Sequence, residues 1–469
     1  MKPFAIKTEL MHHQRDAVAK QARTRAGALF MEMGTGKTLT AIALAHYRME
    51  RIRNVVWFCP VSVKDTIRRE NLKHTDCNDE DIYLFDYKTK HGKIPAASWL
   101  IIGIESMSAS ARLKLSAQSV IYADSMVIVD ESTYIKGYHA ARTNWITAIA
   151  EPARYRMILT GTPMTQGIID LYAQMRFLSP EILGYKSFYS FAANHLEYSE
   201  KYPGKVVRAH NTEWLAAKMQ PYVYQVTKAE CLDLPDKLYE TRYTHLTLKQ
   251  QVEYSAAKER TFKLLEKDEF NSYAIFQLFT ELQKIVSGYI TIENKIIELA
   301  HFRIDCILDI IAEIPANSKI TIWAKFQYDI DSIIAALEKT YGGGCCARYD
   351  GSIVESRRSD EIARFEQSAR FIVLTPSCGG HGLNQLVISD YVIFYNNGFK
   401  YSERIQAEDR NHRPGQTKPV TYIDIHCSNS IDDRIADALS RKGNVLKDFQ
   451  HEIEKVKDKG KLKKLIEEL

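Results

Sequence analysis

The chain has 469 residues, which exceeds one ordinary core and favours two or three domains of ~150 residues each. Hydrophobic residues make up 45% and charged residues 26%, the usual mix of a soluble globular protein, and no run approaches the ~20 apolar residues that span a bilayer. The start of the chain lacks the apolar core of a secretory signal. The net charge of +5 permits a polyanionic partner without requiring one. These features predict a cytoplasmic protein with no membrane partner.

The 8 cysteines and 14 histidines have no spacing typical of a metal site. No C-x-x-C pair occurs, and the adjacent Cys345 and Cys346 suit neither ordinary disulfide geometry nor a zinc knuckle. The histidines form no H-x-x-x-H or H-E-x-x-H array. We therefore expect the reduced cysteines of an intracellular protein and no structural zinc.

Short apolar runs alternate with longer helical stretches in two separate blocks. The first block contains the runs 55–58, 99–102, 126–129 and 157–159, and the second contains 320–323, 371–374, 391–395 and 420–423. Runs rich in Val, Ile and aromatic residues that end at turn-forming or polar residues are typical of buried parallel strands with crossover helices. The sequence thus predicts an α/β fold with two parallel-sheet domains.

A polar segment with a helical pattern separates the two blocks. We expect an N-terminal domain over 1–227, a helical bridge over 228–300, a C-terminal domain over 301–440 and a charged helical tail over 441–469. No Gly/Ser- or Pro-rich linker divides the blocks, so packed helices rather than a flexible tether are expected to join them. The tail is dense in Lys and Glu, which suits a solvated amphipathic helix better than a DNA-gripping segment.

A glycine-rich segment follows the first apolar run of the chain and precedes a helical pattern. It consists of Met33, Gly34, Thr35, Gly36, Lys37 and Thr38. Glycines allow backbone N–H groups to curl around a phosphate, and the N-terminus of the following helix adds its positive dipole end. In such a loop Lys37 would reach the β- and γ-phosphates of ATP, and the Thr38 hydroxyl would bind Mg²⁺. The full phosphate-loop pattern has glycine at position 31, where this chain has Met31, so an ordinary tight turn is the alternative.

Two carboxylates, Asp130 and Glu131, end the apolar run 127–129. A strand-end Asp can hold the Mg²⁺ shell, and the adjacent Glu can polarise an attacking water. Acidic pairs after strands are common in loops, so the pair alone does not distinguish function from chance. Its place downstream of a phosphate loop, at a distance that fits a parallel sheet, favours a site for ATP and Mg²⁺.

In the order and spacing of these segments, the sequence from about residue 10 to 423 resembles the Swi/Snf-type family of helicase superfamily two. That family's phosphate loop also lacks the first glycine, so Met31 fits it. The resemblance implies two RecA-like lobes, each a parallel sheet flanked by helices, with a small helical insertion between them. It also implies an ATPase that tracks along double-stranded or branched DNA. We expect a compact bacterial or phage-like member, monomeric in isolation and located in the cytoplasm of the bacterial or phage-infected cell.

Other segments of the first block also resemble motifs of the family. Gln14 is similar to the glutamine that reads adenine. Pro60 and Ser62 lie in a segment that resembles a contact to the DNA backbone. Thr160 and Thr162 lie in a segment that is similar to the one coupling hydrolysis to motion. The resemblance therefore implies nucleotide and DNA contacts from the same domain.

The second block resembles the family at a glycine segment that carries Gly380, Gly382 and Asn384. Gly382 is expected at the nucleotide, and the other two are expected at DNA or in coupling. Two departures from the family pattern occur: Ser377 stands where the family usually has Arg, and Thr133 replaces the His that follows the acidic pair. They put one DNA or interlobe contact, and the coupling role of position 133, in question.

The most specific match is the segment that carries Gln406, Arg410 and Arg413. Arg410 and Arg413 are three residues apart, so on a helix they would share a face. Two guanidiniums aimed together can neutralise charge on the γ-phosphate in its transition state. The alternative is a surface helix on which Glu408 and Asp409 pair with the arginines. Beside the other motifs, the catalytic interpretation is favoured.

The resemblance implies that ATP binds between the lobes, so hydrolysis requires the lobes to close. Contacts to the DNA backbone carry no base information, so we expect weak sequence preference and strong salt dependence. The predicted function is an ATP-dependent translocase on double-stranded DNA that remodels or branch-migrates DNA in recombination, repair or replication. The alternatives are a strand-separating helicase, the motor of a restriction or defence system, and a DNA-binding scaffold whose ATPase has decayed.

Overall fold

The computed structural model describes residues 1–164, 167–199, 206–266, 272–293, 295–379, 383–441, 443, 445 and 466–469. The chain divides into two compact units, an N-terminal lobe (Met1–Asp233) and a C-terminal lobe (Leu234–Leu469). The main sheet of each lobe is parallel throughout and flanked by helices, as the alternation of apolar runs predicts. The fold is therefore α/β with two RecA-like lobes. None of the described helices is long and apolar enough to cross a membrane.

The N-terminal lobe is built on a parallel sheet. Its strands are β1 (Ala26–Met31), β2 (Asn54–Cys59), β3 (Ile82–Leu84), β4 (Trp99–Gly103), β5 (Ser125–Asp130), β6 (Tyr155–Thr160), β7 (Leu196–Tyr198), β8 (Val206–Ala209) and β9 (Val223–Val226). The order in the main sheet is β3-β4-β2-β5-β6-β1-β9, whereas β7 and β8 form a separate antiparallel pair. The strand that precedes the phosphate loop, β1, thus lies two places from the strand that ends in the acidic pair, β5.

Helices cover both faces of this sheet. They are α1 (His12–Gln21), α2 (Lys37–Arg48), α3 (Lys64–His74), α4 (Ser106–Ala109), α5 (Ala111–Gln118), α6 (Ala141–Ala150), α7 (Ile169–Leu178), α8 (Pro180–Leu183), α9 (Phe188–His195), α10 (Thr212–Met219) and α11 (Lys228–Cys231), with 3-10 turns at Met49–Arg51, Val61–Val63, Asp79–Asp81 and Ser132–Ile135. Successive strand residues point to opposite faces, so Trp57 and Phe58 belong to different hydrophobic clusters. Burial on both faces explains the continuous apolar runs.

The C-terminal lobe repeats this architecture. Its strands are β10 (Lys237–Thr244), β11 (Tyr289–Ile292), β12 (Lys295–Glu298), β13 (Ile320–Trp323), β14 (Cys346–Tyr349), β15 (Phe371–Leu374), β16 (Tyr391–Phe394) and β17 (Val420–Cys427). Its helices are α12 (Leu248–Glu266), α13 (Ser272–Val286), α14 (Arg303–Glu313), α15 (Gln327–Tyr341), α16 (Glu355–Gln367), α17 (Pro376–Gly379), α18 (Tyr401–Asn411) and α19 (Ile431–Ser440), with a 3-10 turn at Gln385–Ile388. The main sheet has the order β10-β17-β16-β13-β15-β14, and β11 and β12 form an antiparallel hairpin.

The predicted helical bridge over 228–300 is only partly helical. Helices α12 and α13 lie there as expected, but β10 precedes them and pairs with β17 over its whole length, from Lys237 opposite Val420 to Thr244 opposite Cys427. The prediction missed β10 because it is an edge strand with only one buried residue, so it lacks the continuous apolar run of a central strand. The lobe boundary accordingly lies near residue 233.

The predicted charged tail is described only in part. Residues 442, 444 and 446–465 lie outside the described residues. The last residues are buried: Ile466 and Leu469 join a hydrophobic cluster with α12, α13 and α19. The Tyr254 hydroxyl of α12 donates to Leu469 O at 2.9 Å. This part of the tail therefore packs on the helical insertion of the C-terminal lobe.

Candidate active site

The loop between β1 and α2 is shaped by two glycines. Gly34 and Gly36 both have φ of 85°, a left-handed conformation that side chains disfavour. A Cβ atom on Gly36 would lie 2.0 Å from Gln14 Nε2 and would displace that amide, so the contact and the positive φ both favour glycine at this position. The loop leads directly into the N-terminus of α2, where backbone N–H groups are left without helical partners. Such a loop has the backbone geometry that can bind an anion, as the glycine pattern predicts for a phosphate loop.

The lysine of the loop is held by main-chain oxygens. Lys37 Nζ donates to Met31 O at 2.8 Å and to Glu32 O at 3.2 Å. Thr35 is buried, and its hydroxyl donates to Glu32 O at 2.7 Å. Thr38, in the first turn of α2, is partly exposed. The loop therefore places an ammonium group and a hydroxyl at the start of α2.

Helix α1 is attached to the same loop by two buried side chains. Gln14 Nε2 donates to Thr35 O at 3.2 Å, and its Oε1 accepts from Met11 N at 3.0 Å. His13 Nε2 lies 2.7 Å from Thr35 O. The structure thus brings the predicted adenine-reading glutamine to the phosphate loop. His13, which belongs to the same predicted segment, lies against the same loop.

A carboxylate inside the loop connects it to the end of the lobe. Glu32 N donates to Val226 O at 3.1 Å, and the Glu32 carboxylate accepts from Lys228 N at 2.8 Å. These partners precede the lobe boundary at Asp233 by only a few residues. The sequence gives a weak signal for this role, since an acidic residue stands between two methionines, Met31 and Met33.

The carboxyl ends of β1, β6 and β5 meet at one edge of the sheet. Phe30 pairs with Thr160, and Leu159 pairs with Asp130, so the strands end in register. A Cβ atom on Gly161 would lie 3.3 Å from Met33 N, which places the segment after β6 against the phosphate loop. The predicted coupling segment and the predicted metal ligand therefore lie at the same edge as the loop.

Asp130 and Glu131 occupy different environments although they are adjacent. Asp130 is only 8% exposed, and its Oδ1 accepts from Glu131 N at 2.9 Å. Burial first, and then the Glu131 carboxylate, raise the pKa of Asp130 to about 7, against the opposing effect of the Lys37 ammonium. Glu131 is partly exposed and has φ of 46°, which is uncommon for a residue other than glycine. Such strain at a strand end is typical of a functional turn.

The donor set at this edge fits Mg²⁺. Magnesium prefers hard oxygen ligands and is commonly held by one or two carboxylates together with substrate phosphates. Asp130 offers a buried carboxylate whose anionic form is disfavoured without a nearby cation, and Thr38 offers a hydroxyl. Both residues were predicted as metal ligands from the sequence.

The predicted DNA-contacting residues of the N-terminal lobe divide by exposure. Pro60 and Thr160 are buried, whereas Ser62 and Thr162 are exposed at the carboxyl edge of the sheet. The Thr160 hydroxyl accepts from Thr162 N at 3.1 Å and so fixes the turn after β6. The buried pair can shape these turns, and the exposed pair can meet a ligand.

In the C-terminal lobe, Gln406 and Arg410 lie on α18, but Arg413 does not. The prediction that both arginines share a helix face is wrong, because α18 ends at Asn411. The residue before a proline is disfavoured in helical conformation, and Arg413 precedes Pro414. Arg410 is 6% exposed and Gln406 is partly exposed.

The structure joins Arg413 to the preceding glycine segment. Arg413 Nη1 donates to Asn384 Oδ1, so two residues predicted from separate motifs are in contact. Gly380 and Gly382, predicted for the same segment, lie outside the described residues.

Helix α18 is not a surface ion-pair helix. Glu408 is 3% exposed, and its carboxylate accepts from Lys237 Nζ at 3.0 Å, Tyr239 OH at 2.9 Å and Arg404 Nε at 2.9 Å. These bonds attach the helix that carries Arg410 to the edge strand β10. The C-terminal half of α18 is therefore buried, whereas the alternative interpretation requires a surface helix.

Comparison with known proteins identifies the family to which the chain belongs. The sequence model of the SNF2-related domain matches residues 13–288, and that of the helicase conserved C-terminal domain matches residues 303–415. Together with the phosphate loop and the strand-end carboxylates, they define a helicase-like ATPase. The chain belongs to the SNF2-related family.

Curated relatives are longer than this chain. It is 26% identical over 458 residues to the DNA annealing helicase and endonuclease ZRANB3 of Mus musculus. The aligned region covers 94% of this chain and 41% of that protein. The chain is 24% identical over 505 residues to Protein CHROMATIN REMODELING 19 of Arabidopsis thaliana, covering 88% and 64% respectively. Among solved structures, the Sulfolobus solfataricus SWI2/SNF2 ATPase core in complex with dsDNA is 24% identical, with a TM-score of 0.45 and coverage of 94% and 93%.

Proposed function

We propose that this chain is an ATP-dependent translocase on double-stranded DNA whose ATP hydrolysis is stimulated by the duplex. One observation carries the ATPase part: the phosphate loop, Gln14 and the acidic pair after β5 converge at one sheet edge of the N-terminal lobe. Membership of the SNF2-related family, and relatives named as a DNA annealing helicase and a chromatin-remodelling protein, support DNA as the track.

In this proposal the N-terminal lobe binds and activates the nucleotide. The backbone of 33–36 and the Lys37 ammonium hold the β- and γ-phosphates, and Gln14 contacts the base. Thr38 and Asp130 would hold Mg²⁺, which when bound neutralises charge on the phosphate oxygens. The Glu131 carboxylate lies beside the buried Asp130, is more exposed, and accepts a proton from the attacking water.

The C-terminal lobe would contribute positive charge and coupling. Arg410 and Arg413 neutralise the charge that develops on the γ-phosphate, and Gln406 orients groups nearby. Asn384, which accepts from Arg413, couples the glycine segment to that arginine. We assign Gly382 to the nucleotide and Gly380 to DNA or coupling, as the family resemblance implies.

Exposure sharpens the proposed DNA contacts. Ser62 and Thr162 are exposed and can donate to backbone phosphates, whereas the buried Pro60 and Thr160 act by shaping the turns that carry them. Such contacts carry no base information. Binding is therefore expected to be strongly salt-dependent and to show weak sequence preference.

The test compares ATP hydrolysis with duplex DNA, single-stranded DNA, a four-way junction and RNA at matched nucleotide concentration. We expect the duplex or junction to stimulate most, and no hydrolysis by the Lys37→Ala control. A preference for RNA would overturn the proposal. ATP hydrolysis that no nucleic acid stimulates would support the ATPase assignment and refute DNA as the substrate of movement.

Translocation itself is tested by displacement of a third strand from a DNA triplex, which requires movement but no opening of the duplex. Displaced strand from a simple fork would favour a strand-separating helicase. Strand exchange only from the four-way junction would favour branch migration. Binding of duplex without hydrolysis would indicate the scaffold alternative.

A further inference from the structure

A buried glutamine outside the motifs connects two of them. Gln174 lies in the middle of α7 and has no exposed surface. Its Oε1 accepts from the Ser132 hydroxyl at 2.6 Å, and its Nε2 donates to Pro163 O and Asp170 O, both at 2.8 Å. The carbonyl partners fix the orientation of the amide, because only the NH₂ group can donate to them. All the polar atoms of this side chain are therefore engaged.

One hydrogen bond of this amide reaches the turn that begins at Asp130 and Glu131, called the acidic turn below. Ser132 is also fully buried and directly follows Glu131. The backbone of Glu131 has a left-handed conformation. It is held by two hydrogen bonds: Glu131 N donates to Asp130 Oδ1, and Tyr134 N donates to Glu131 O at 2.9 Å. A left-handed non-glycine residue persists only where its surroundings enforce it. The bond from Ser132 to Gln174 is part of that enforcement.

A second hydrogen bond of this amide reaches the turn after β6. Pro163 follows Thr160–Thr162, and Gly161 of that turn lies against Met33 of the phosphate loop. A continuous series of contacts therefore runs from the phosphate loop through the turn after β6 to Gln174, and from Gln174 to the residue beside Glu131. Each step is buried or part-buried, where a hydrogen bond is stronger and an unmade one is costly.

We infer that Gln174 is a positioning residue for hydrolysis: it fixes Glu131 relative to the phosphate loop through Ser132 and Pro163. This inference rests on the proposed ATPase function. It also bears on the family departure at position 133, where Thr replaces His. The Gln174 side chain supplies, from a separate helix, a connection between the acidic turn and the turn after β6.

A purely structural role would give a different result from a positioning role. Loss of packing lowers the melting temperature and the fraction of folded protein, but leaves the turnover of each intact nucleotide site unchanged. Loss of positioning lowers kcat for each site and leaves the KM for ATP nearly unchanged, because phosphate binding does not depend on the Glu131 carboxylate.

The experiment replaces Gln174 by leucine, which has a similar volume and no amide. We expect Gln174→Leu to lower the duplex-stimulated kcat by about tenfold or more, counted per nucleotide-binding site, with the KM for ATP changed less than about twofold. Ser132→Ala removes the hydrogen bond to Gln174 and should give a smaller loss in the same direction. The double variant should be no slower than Gln174→Leu, since both changes break one connection.

The matched control is Gln21→Leu in α1. Gln21 is likewise fully buried in the N-terminal lobe, and its Nε2 donates to Tyr222 O at 2.8 Å, away from the acidic turn. This variant should lower the melting temperature without changing kcat per site. A comparable fall in kcat per site for Gln21→Leu would indicate a general packing effect and would overturn the inference.

The outcomes also separate this inference from the proposed function. Wild-type kcat in Gln174→Leu, together with lost turnover in Glu131→Gln, would refute the positioning role and leave the ATPase assignment intact. Normal turnover in Glu131→Gln would refute Glu131 as the base, whereas an absence of hydrolysis in the wild-type protein would refute the ATPase assignment itself. If Gln174→Leu does not fold, Ser132→Ala decides the question, because it deletes only one hydroxyl: an unchanged kcat there refutes the inference.

Discussion

The two lobes share an architecture but use buried charge differently. In the N-terminal lobe, the buried carboxylate of Asp130 lies at the carboxyl edge of the sheet, and its surroundings raise its pKa to about 7. In the C-terminal lobe, buried arginines are paired: Arg303 with Asp432, and Arg404 with Asp424. These partners raise the pKa of both arginines despite burial.

The direction of each shift separates two purposes. A group whose charged form is stabilised by a built partner is satisfied by the fold and mainly joins helix to strand. A group whose charged form is disfavoured at a sheet edge is poised for a ligand, and perturbed groups of this kind cluster at functional sites. Asp130 is therefore a candidate ligand-binding group of the N-terminal lobe, whereas Arg303 and Arg404 belong to the internal structure of the C-terminal lobe.

The sharpest test of this contrast is Glu131→Gln. Turnover should fall at least about 10³-fold, because the amide cannot accept a proton from water, while ATP binding persists. Hydrolysis and nucleotide binding are measured on the same preparation. Lys37→Ala is the companion variant and should lose both. A wild-type rate of hydrolysis in Glu131→Gln would show that Glu131 is not the base.

The next effect concerns Arg413, one of the two arginines of the C-terminal lobe to which we assign a catalytic role. Arg413→Ala should lower kcat by about 10²–10³-fold with nearly unchanged ATP affinity, since it acts on charge that develops during reaction. Equilibrium nucleotide binding beside steady-state kinetics gives both quantities. A variant that loses affinity and turnover equally would instead place Arg413 in ground-state binding.

The structural use of charge is tested by Asp432→Asn. Arg303 would then be buried beside a neutral partner. The free energy of unfolding of the C-terminal lobe, measured by urea titration, should therefore fall by about 3–5 kcal/mol. The control is Asp437→Asn, which breaks the exposed pair with Arg441 and should cost at most about 1 kcal/mol. Equal losses for both variants would show that burial does not set the strength of these pairs.

Lys325 and Asp329 are exceptions in the C-terminal lobe, since burial lowers the pKa of Lys325 to about 7 and raises the pKa of Asp329 to about 7. Between that value and 10.5 the unfolded chain carries a proton that the folded chain lacks, so stability rises with pH across this window and is lower below it. Lys325→Met should remove this dependence, about 1.4 kcal/mol per pH unit, and flatten unfolding measured from pH 7 to pH 9. The exposed Lys339→Met should keep the wild-type slope. An unchanged slope in Lys325→Met would show that this lysine is charged in the folded lobe.

Sequence reasoning predicted the fold best where burial is uniform. Central strands such as β2 and β13 are continuous apolar runs because helices cover both of their faces. The edge strand β10 was missed because its exposed residues break that run. The end of α18 was missed although Pro414 signals it, because the three-residue spacing of the arginines suggested a continuous helix.

The site was predictable to the extent that its residues are close in sequence. The phosphate loop and the acidic pair are each local, so spacing alone indicates them. Gln174 is different: it contacts residues 11 and 42 positions earlier, and only folding brings them together. The available signal is a polar residue within the apolar stretch of α7, which marks a buried hydrogen-bonding side chain without naming its partners.

The bonds of Glu32 and Glu408 have a mechanical consequence. Glu32 fastens the phosphate loop to the backbone at Lys228, and Glu408 fastens the arginine-bearing helix to Lys237. The segment from Lys228 to Lys237 connects the two lobes. It is hydrogen-bonded at one end to the phosphate loop and at the other end to α18. Fully stretched, it reaches on the order of 30 Å. In the proposed translocase, separating the phosphate loop from α18 by more than this length would first require one of these two sets of hydrogen bonds to break.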